Sequence, residues 1–142
     1  MVKFMDLGTQ YQSIKHEIDN KVLEVLSSTA YSGGKYVTSF ENAFALAHQS
    51  KYCVAVNSGT AALHIVFMAL DLGPGDEVIV PSNTFFASAE AVSLTGATPV
   101  FVDNDSFYNI DCDQVEAAIN DKTKAIIGVH LYGQPCQLDR LQ

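Results

Sequence analysis

Tryptophan is missing from this sequence, and cysteine, proline and positive charge are scarce: three Cys, four Pro and eight Lys plus Arg. Cys53, Cys112 and Cys136 form an odd set without a Cys-x-x-Cys pair, which argues against a disulfide framework or a zinc knuckle and leaves each most simply as a small apolar filler. Against the eight cations stand sixteen Asp plus Glu, a formal charge of -8, so no basic field attracts nucleic acid or an anionic membrane. No run approaches the ~18 apolar residues that span a bilayer, and the opening Met1-Val2-Lys3-Phe4-Met5-Asp6 lacks the apolar core of a signal peptide. A soluble, cytoplasmic protein is expected. His16, His48, His64 and His130 show no helical metal-ligand spacing, and neither a Gly-x-Ser-x-Gly elbow nor a Gly-x-x-x-x-Gly-Lys phosphate loop occurs.

The 142 residues, 48% of them hydrophobic, suffice for one compact domain with a sizeable core. Tyr11, Ile14, Ile18, Val22 and Val25 recur at helical spacing and predict an amphipathic helix over 11–27. After the loop Tyr31-Ser32-Gly33-Gly34, the positions Val37, Phe40, Phe44 and Ala47 predict a second helix ending at His48. From Tyr52 the pattern changes to short runs rich in Val and Ile, each followed by a turn and a helical stretch. Strands are expected at Tyr52–Val56, Glu77–Val80, Pro99–Val102 and Ala125–His130, with helices over Thr60–Leu70, about Thr84–Leu94, a short one through Ile119 capped by Asp111 or Asp113, and one opening at Pro135. The fold class is α/β, a mostly parallel sheet flanked by helices, with a helical segment 1–50 followed by repeated β-α units over 51–142.

Right-handed crossovers bring the strand-to-helix loops to one edge of such a sheet, where open α/β folds bind ligands. Three loops become candidates: Asn57 to Ala61, Pro81 to Phe86 and His130 to Pro135. A helix opening at Ser58-Gly59-Thr60-Ala61 offers free N–H groups, a positive dipole end and a hydroxyl, which suit a phosphate; the same residues also make an ordinary N-cap with a glycine turn. Of Phe85 and Phe86, one is expected to face the core while the other can stack on a planar ring. His130 can act as an acid or base and Tyr132 as a donor, or both can simply satisfy loop backbone. Asp103-Asn104-Asp105-Ser106-Phe107 is no calcium loop, because Phe107 falls on a ligand position, Tyr108 replaces the required Gly and Gln114 the closing Glu; it reads as a solvated loop leading to a helix cap.

Taken together, Asn57-Ser58-Gly59-Thr60-Ala61-Ala62-Leu63-His64, Leu72 to Pro81, Asn83-Thr84-Phe85, Gly96 to Asp103, Tyr108-Asn109-Ile110-Asp111, and Thr123 to Ile127 with Val129 to Pro135 form a spaced series along nearly the whole chain. This series resembles the sugar aminotransferases of the DegT/DnrJ/EryC1/StrS type, which depend on pyridoxal phosphate. Asp6-Leu7 and Gln10-Tyr11 also fit, whereas Cys112 stands where relatives often carry Pro.

The resemblance implies a fold type I architecture, of which the 142 residues are the N-terminal portion of the large cofactor-binding domain, with the rest of that domain and a smaller C-terminal domain lying outside the sequence. It implies a homodimer active in polysaccharide biosynthesis, with Gly59, Thr60 and Ala61 holding the pyridoxal 5'-phosphate phosphate group and Phe85 stacking on its ring. The implied reaction moves an amino group, from glutamate, to a keto sugar linked to a nucleotide; a related sugar dehydratase and a non-catalytic phosphate-binding domain are the alternatives. Ser58 to Leu63 looks more like members acting on 4-keto sugars, the Asp6-Leu7 opening like members acting on 3-keto sugars. No catalytic residue is expected in this chain: the implied lysine and acidic residue fall beyond Gln142, and Lys3, Lys15, Lys21, Lys35, Lys51, Lys122 and Lys124 all lie outside the candidate loops. The 142-residue chain alone is therefore expected to be inactive.

Overall fold

The computed structural model describes residues 4–142, so Lys3 lies outside the described residues, and the chain divides into two compact units, Met1–Ala55 and Val56–Gln142. The first unit holds helices α1 (Leu7–Ser28) and α2 (Gly34–Ala47). Helix α1 starts four residues before the apolar period does, because Asp6 caps it by accepting from Thr9 N at 3.1 Å and Thr9 Oγ1 at 2.9 Å. Lys35 on α2 reaches Glu24 on α1 at 3.0 Å and, ahead of the other contacts, draws that carboxyl down to about 2. No residue of α1 is buried, so its apolar stripe is formed as expected yet left largely uncovered.

The strand expected at Tyr52–Val56 does not form. Its alternation survives, with Tyr52, Val54 and Val56 exposed and Cys53 and Ala55 half-buried, but a strand exists only as one side of a ladder. Among the described residues none pairs with it, and the Ala55 N–H is taken at 2.9 Å by the Glu41 carboxylate.

The second unit is the repeating part. Helix α3 (Gly59–Ala69) precedes strand β1 (Glu77–Pro81), and α4 (Ala87–Ser93), β2 (Thr98–Val102), α5 (Cys112–Ala118), β3 (Thr123–Ile126), a 3-10 turn (Leu131–Gly133) and α6 (Leu138–Leu141) follow. The strands form a parallel sheet in the order β2-β1-β3. Val78, Ile79 and Val80 of the central strand are fully buried, and their alternation divides the core. Val78 and Val80 join Phe67, Leu72, Ala91, Val92 and Ile127 on one face; Ile79 joins Val102, Ile110, Val115 and Cys136 on the other.

The fourth strand was expected to run to His130, but β3 ends at Ile126. In the parallel ladder the odd residues of β1 bond towards β3: Glu77 N donates to Lys122 O at 2.8 Å and Ile79 O accepts from Ile127 N at 2.9 Å. The next donor in that row would be Pro81, which has no N–H, so the ladder stops and residues 127–130 leave the sheet. On the even row, Ser82 N still reaches Val102 O at 2.8 Å. The last helix starts at Leu138, three residues after Pro135.

Asp111 is the cap of α5, accepting from Asp113 N at 2.9 Å and Gln114 N at 3.4 Å; these donors, Asp113 first, hold its carboxyl below the ordinary range. Gln114 does not reach back to the Asp111 amide as a capping box would, but accepts from Asp103 N at 3.0 Å. Cys112 and Cys136 are buried free thiols, as apolar fillers should be, and burial pushes the Cys136 thiol up.

Packing is close behind the strand end, where a methyl group added at Gly128 would sit 2.9 Å from Cys136 Sγ and 3.4 Å from Leu141 Cδ1. Gly128→Ala should therefore destabilise the protein by about 1–3 kcal/mol through overpacking. Denaturant titration of Gly128→Ala, Cys136→Ala and the double variant checks this: the double variant should recover part of the loss, and strictly additive losses would contradict the contact.

Candidate functional site

Beyond the carboxyl ends of β1 and β3 the chain leaves a cavity of about 590 Å³, bounded by the start of α3, the loop after β1 and residues 127–130. Gly59 and Thr60 line it, as do Phe85 and His130. Three of the four residues expected to meet a cofactor thus share one cavity. Ala61 does not line it.

The α3 terminus has a specific division of labour. Ser58, in extended backbone, caps the helix: its Oγ accepts from Ala61 N at 3.1 Å, and its carbonyl accepts from Ala62 N at 3.0 Å. The amides of Gly59 and Thr60 and the Thr60 hydroxyl have no hydrogen-bond partner among the described residues, which leaves three donors at the positive end of an 11-residue helix. A Cβ placed on Gly59 would meet nothing within 4 Å, so the space before these donors is open. The Ala61 N–H is already committed to Ser58, the N-cap that the same residues also predict.

The pair Phe85 and Phe86 departs from expectation. Neither faces the core: their exposures are 76% and 71%. They address different cavities, Phe85 the one at the strand ends and Phe86 a second bounded by α4 and β2. The reason is the start of α4 at Ala87, which gives the buried positions to Ala87, Ser88, Ala91 and Val92 instead.

His130 accepts the Cys136 N–H on Nδ1 at 3.1 Å, so the neutral ring carries its proton on Nε2. It satisfies loop backbone and lines the cavity at once. Tyr132 is 83% exposed, lies in the left-handed region at φ 55°, and meets Tyr108 edge-on with ring centres 6.0 Å apart. Thr84, in the candidate loop Pro81 to Phe86, and Ser88, which lies just beyond it on α4, also line the cavity, with their hydroxyls 3.3 Å apart. Among the described residues no acidic side chain and no lysine lines it. Among the described residues no cluster of His, Cys, Asp and Glu could hold a metal ion, and no helix is long and apolar enough to cross a membrane.

Against known proteins, the sequence profile of the DegT/DnrJ/EryC1/StrS aminotransferase family matches residues 12–142. The chain belongs to that family. It is 51% identical over 120 residues to a GDP-perosamine synthase of Caulobacter vibrioides, covering 83% of this chain and 32% of the relative. It is 48% identical over 142 residues to the UDP-2-acetamido-2-deoxy-3-oxo-D-glucuronate aminotransferase of Pseudomonas aeruginosa, covering 99% of this chain and 40% of that protein. The solved structure of S. venezuelae DesV in complex with a ketimine intermediate superposes with a TM-score of 0.92 at 44% identity, covering 99% of this chain and 38% of that one. The chain therefore spans about a third to two fifths of the length of these relatives.

With Phe86 exposed, Phe86→Ala should change folding stability by no more than about 0.5 kcal/mol, the range of ordinary surface substitutions. Thermal and denaturant melts of this variant check it. A loss above about 3 kcal/mol, the scale of a core Phe truncation, would place the ring inside.

Proposed function

We propose that the cavity at the strand ends binds pyridoxal 5'-phosphate and that the protein is an aminotransferase, moving an amino group from glutamate to a keto sugar linked to a nucleotide. The observation that carries this reading is the pair of uncommitted amides at Gly59 and Thr60, facing the same cavity as the exposed Phe85 ring. A phosphate fits these donors: two N–H groups, one hydroxyl and the helix dipole favour an anion, and among the described residues no carboxylate lines the cavity to repel it. Ala61 contributes its amide only in exchange for the bond to Ser58 Oγ, so Gly59 and Thr60 are the principal anchors and Ala61 a lesser one.

When bound, pyridoxal phosphate supplies the electron sink that lets nitrogen pass between carbon skeletons. This chain's residues bind and orient. Gly59 and Thr60 fix one end, Phe85 offers an aromatic face, and Leu63, Ile127 and Val129 form an apolar wall. His130, with Nδ1 occupied, serves as an Nε2–H donor rather than as a base. Among the described residues no Lys, Asp or Glu lines the cavity, so an amine or a carboxylate acting on the cofactor would have to come from outside these loops. In this reading the 142 residues are the first part of the large domain of a fold type I enzyme, inactive without the rest, and the enzyme works as a cytoplasmic homodimer. Nucleotide-linked sugars are the substrate class because the relatives from C. vibrioides and P. aeruginosa carry GDP- and UDP-linked sugars in their names.

Thr60→Val removes the hydroxyl and keeps the shape, so it should weaken pyridoxal phosphate binding by about 1.5–3 kcal/mol, the worth of one charge-assisted hydrogen bond. Phe85→Ala should weaken it by about 0.5–1.5 kcal/mol beyond area burial, and Phe86→Ala should not. Equilibrium dialysis measures all three. Equal affinity in wild type and both the Thr60 and Phe85 variants would refute the site.

A further inference from the structure

The segment Asp103 to Ile110, whose first part Asp103 to Phe107 sequence presents as a solvated loop, is a hairpin bonded to both loops of the cavity. Its own closure is firm. Asn104 and Ile110 form an antiparallel bridge, Asp105 N donates to Asn109 O at 2.7 Å, and Asp105 Oδ1 accepts from Asn109 N at 3.0 Å.

On one side, Asn104 Oδ1 accepts from Asn83 N at 3.0 Å, two residues before Phe85, while Asn104 Nδ2 donates to Tyr108 O at 2.6 Å within the hairpin. On the other side, Asn109 Nδ2 donates to Pro135 O at 3.0 Å, and the next residue, Cys136, donates its N–H to His130 Nδ1. The edge-on contact of Tyr108 with Tyr132 ties the same two segments a second time.

Asn109 is 4% exposed, and its Oδ1 has no hydrogen-bond partner. A half-satisfied buried amide is costly, because its Oδ1 is desolvated without a donor, a cost that an apolar side chain of similar volume avoids. What Asn109 gains over leucine is the bond to Pro135, 26 residues away.

We propose that Asn104 and Asn109 are positioning residues, coupling loops 81–86 and 130–136 through the hairpin so that Phe85 and His130 are held in place across the cavity. The proposal rests on the cofactor reading only for its functional consequence; the tether itself does not.

The test is hydrogen exchange read by mass spectrometry on the full protein, with pyridoxal phosphate affinity measured in parallel, for wild type, Asn109→Leu and Asn104→Asp. Asn109→Leu should speed exchange across 130–137 at least about tenfold, leave the buried strand β1 unchanged, and raise the pyridoxal phosphate Kd about two- to tenfold, the worth of one hydrogen bond. Asn104→Asp keeps the acceptor for Asn83 N but loses the donor to Tyr108 O, and should loosen 104–109 while 82–85 stays protected.

Unchanged exchange at 130–137 in Asn109→Leu overturns the tether. Faster exchange in β1 as well marks a merely structural role and also overturns the proposal. A loosened loop with unchanged affinity overturns the positioning role. If wild type binds no pyridoxal phosphate, the functional reading fails, and the exchange data alone decide the tether.

Discussion

The burial of β1 on both faces is the constraint on which the second unit depends. A strand with Val78, Ile79 and Val80 removed from water must be covered above and below, and parallel neighbours require crossovers long enough to supply that cover. Helices α3 and α4 seal the Val78 and Val80 face; α5 and the residues around Cys136 seal the Ile79 face. Since every strand points the same way, the chain must turn at the same edge after each one, and that edge holds the cavity. Pro81 then acts as punctuation. By withholding one N–H it ends the β1-β3 ladder and releases residues 127–130 to become cavity wall instead of sheet.

The α/β class, the parallel sense and the positions of β1 and β2 were legible because Val and Ile cluster in short runs between turn residues. Tyr52–Val56 has the same pattern and forms no strand, which shows the limit of that signal: alternation records which side of a segment can be buried, not whether a hydrogen-bonding neighbour is at hand. The early end of β3 was also written in the sequence, at Pro81, but on the opposite strand and in the ladder row, where a reading of one segment at a time does not look.

For the cavity, chemistry at helix starts and strand ends was enough to bring Gly59, Thr60 and Phe85 forward, since the topology fixes where those positions go. Side-chain partnerships were not legible. That Asn104 reaches Asn83 and Asn109 reaches Pro135 depends on distances between segments far apart in sequence, and the outward turn of Phe86 depends on where α4 starts. The Asp103 to Ile110 stretch illustrates the point: the polar composition of its first part, Asp103 to Phe107, reads as solvation, while its hydrogen bonds make it a brace.

The central claim is that the free donors at the start of α3 receive the phosphate of pyridoxal phosphate. Amide nitrogen and proton shifts recorded by NMR while pyridoxal 5'-phosphate is added address it at single residues. The account predicts saturable shifts of the Gly59 and Thr60 amides, larger than that of Ala61, together with ring-current shifts around Phe85, while Val78 to Val80 stay unmoved. Saturable binding that leaves Gly59 and Thr60 in place and shifts residues elsewhere would contradict it.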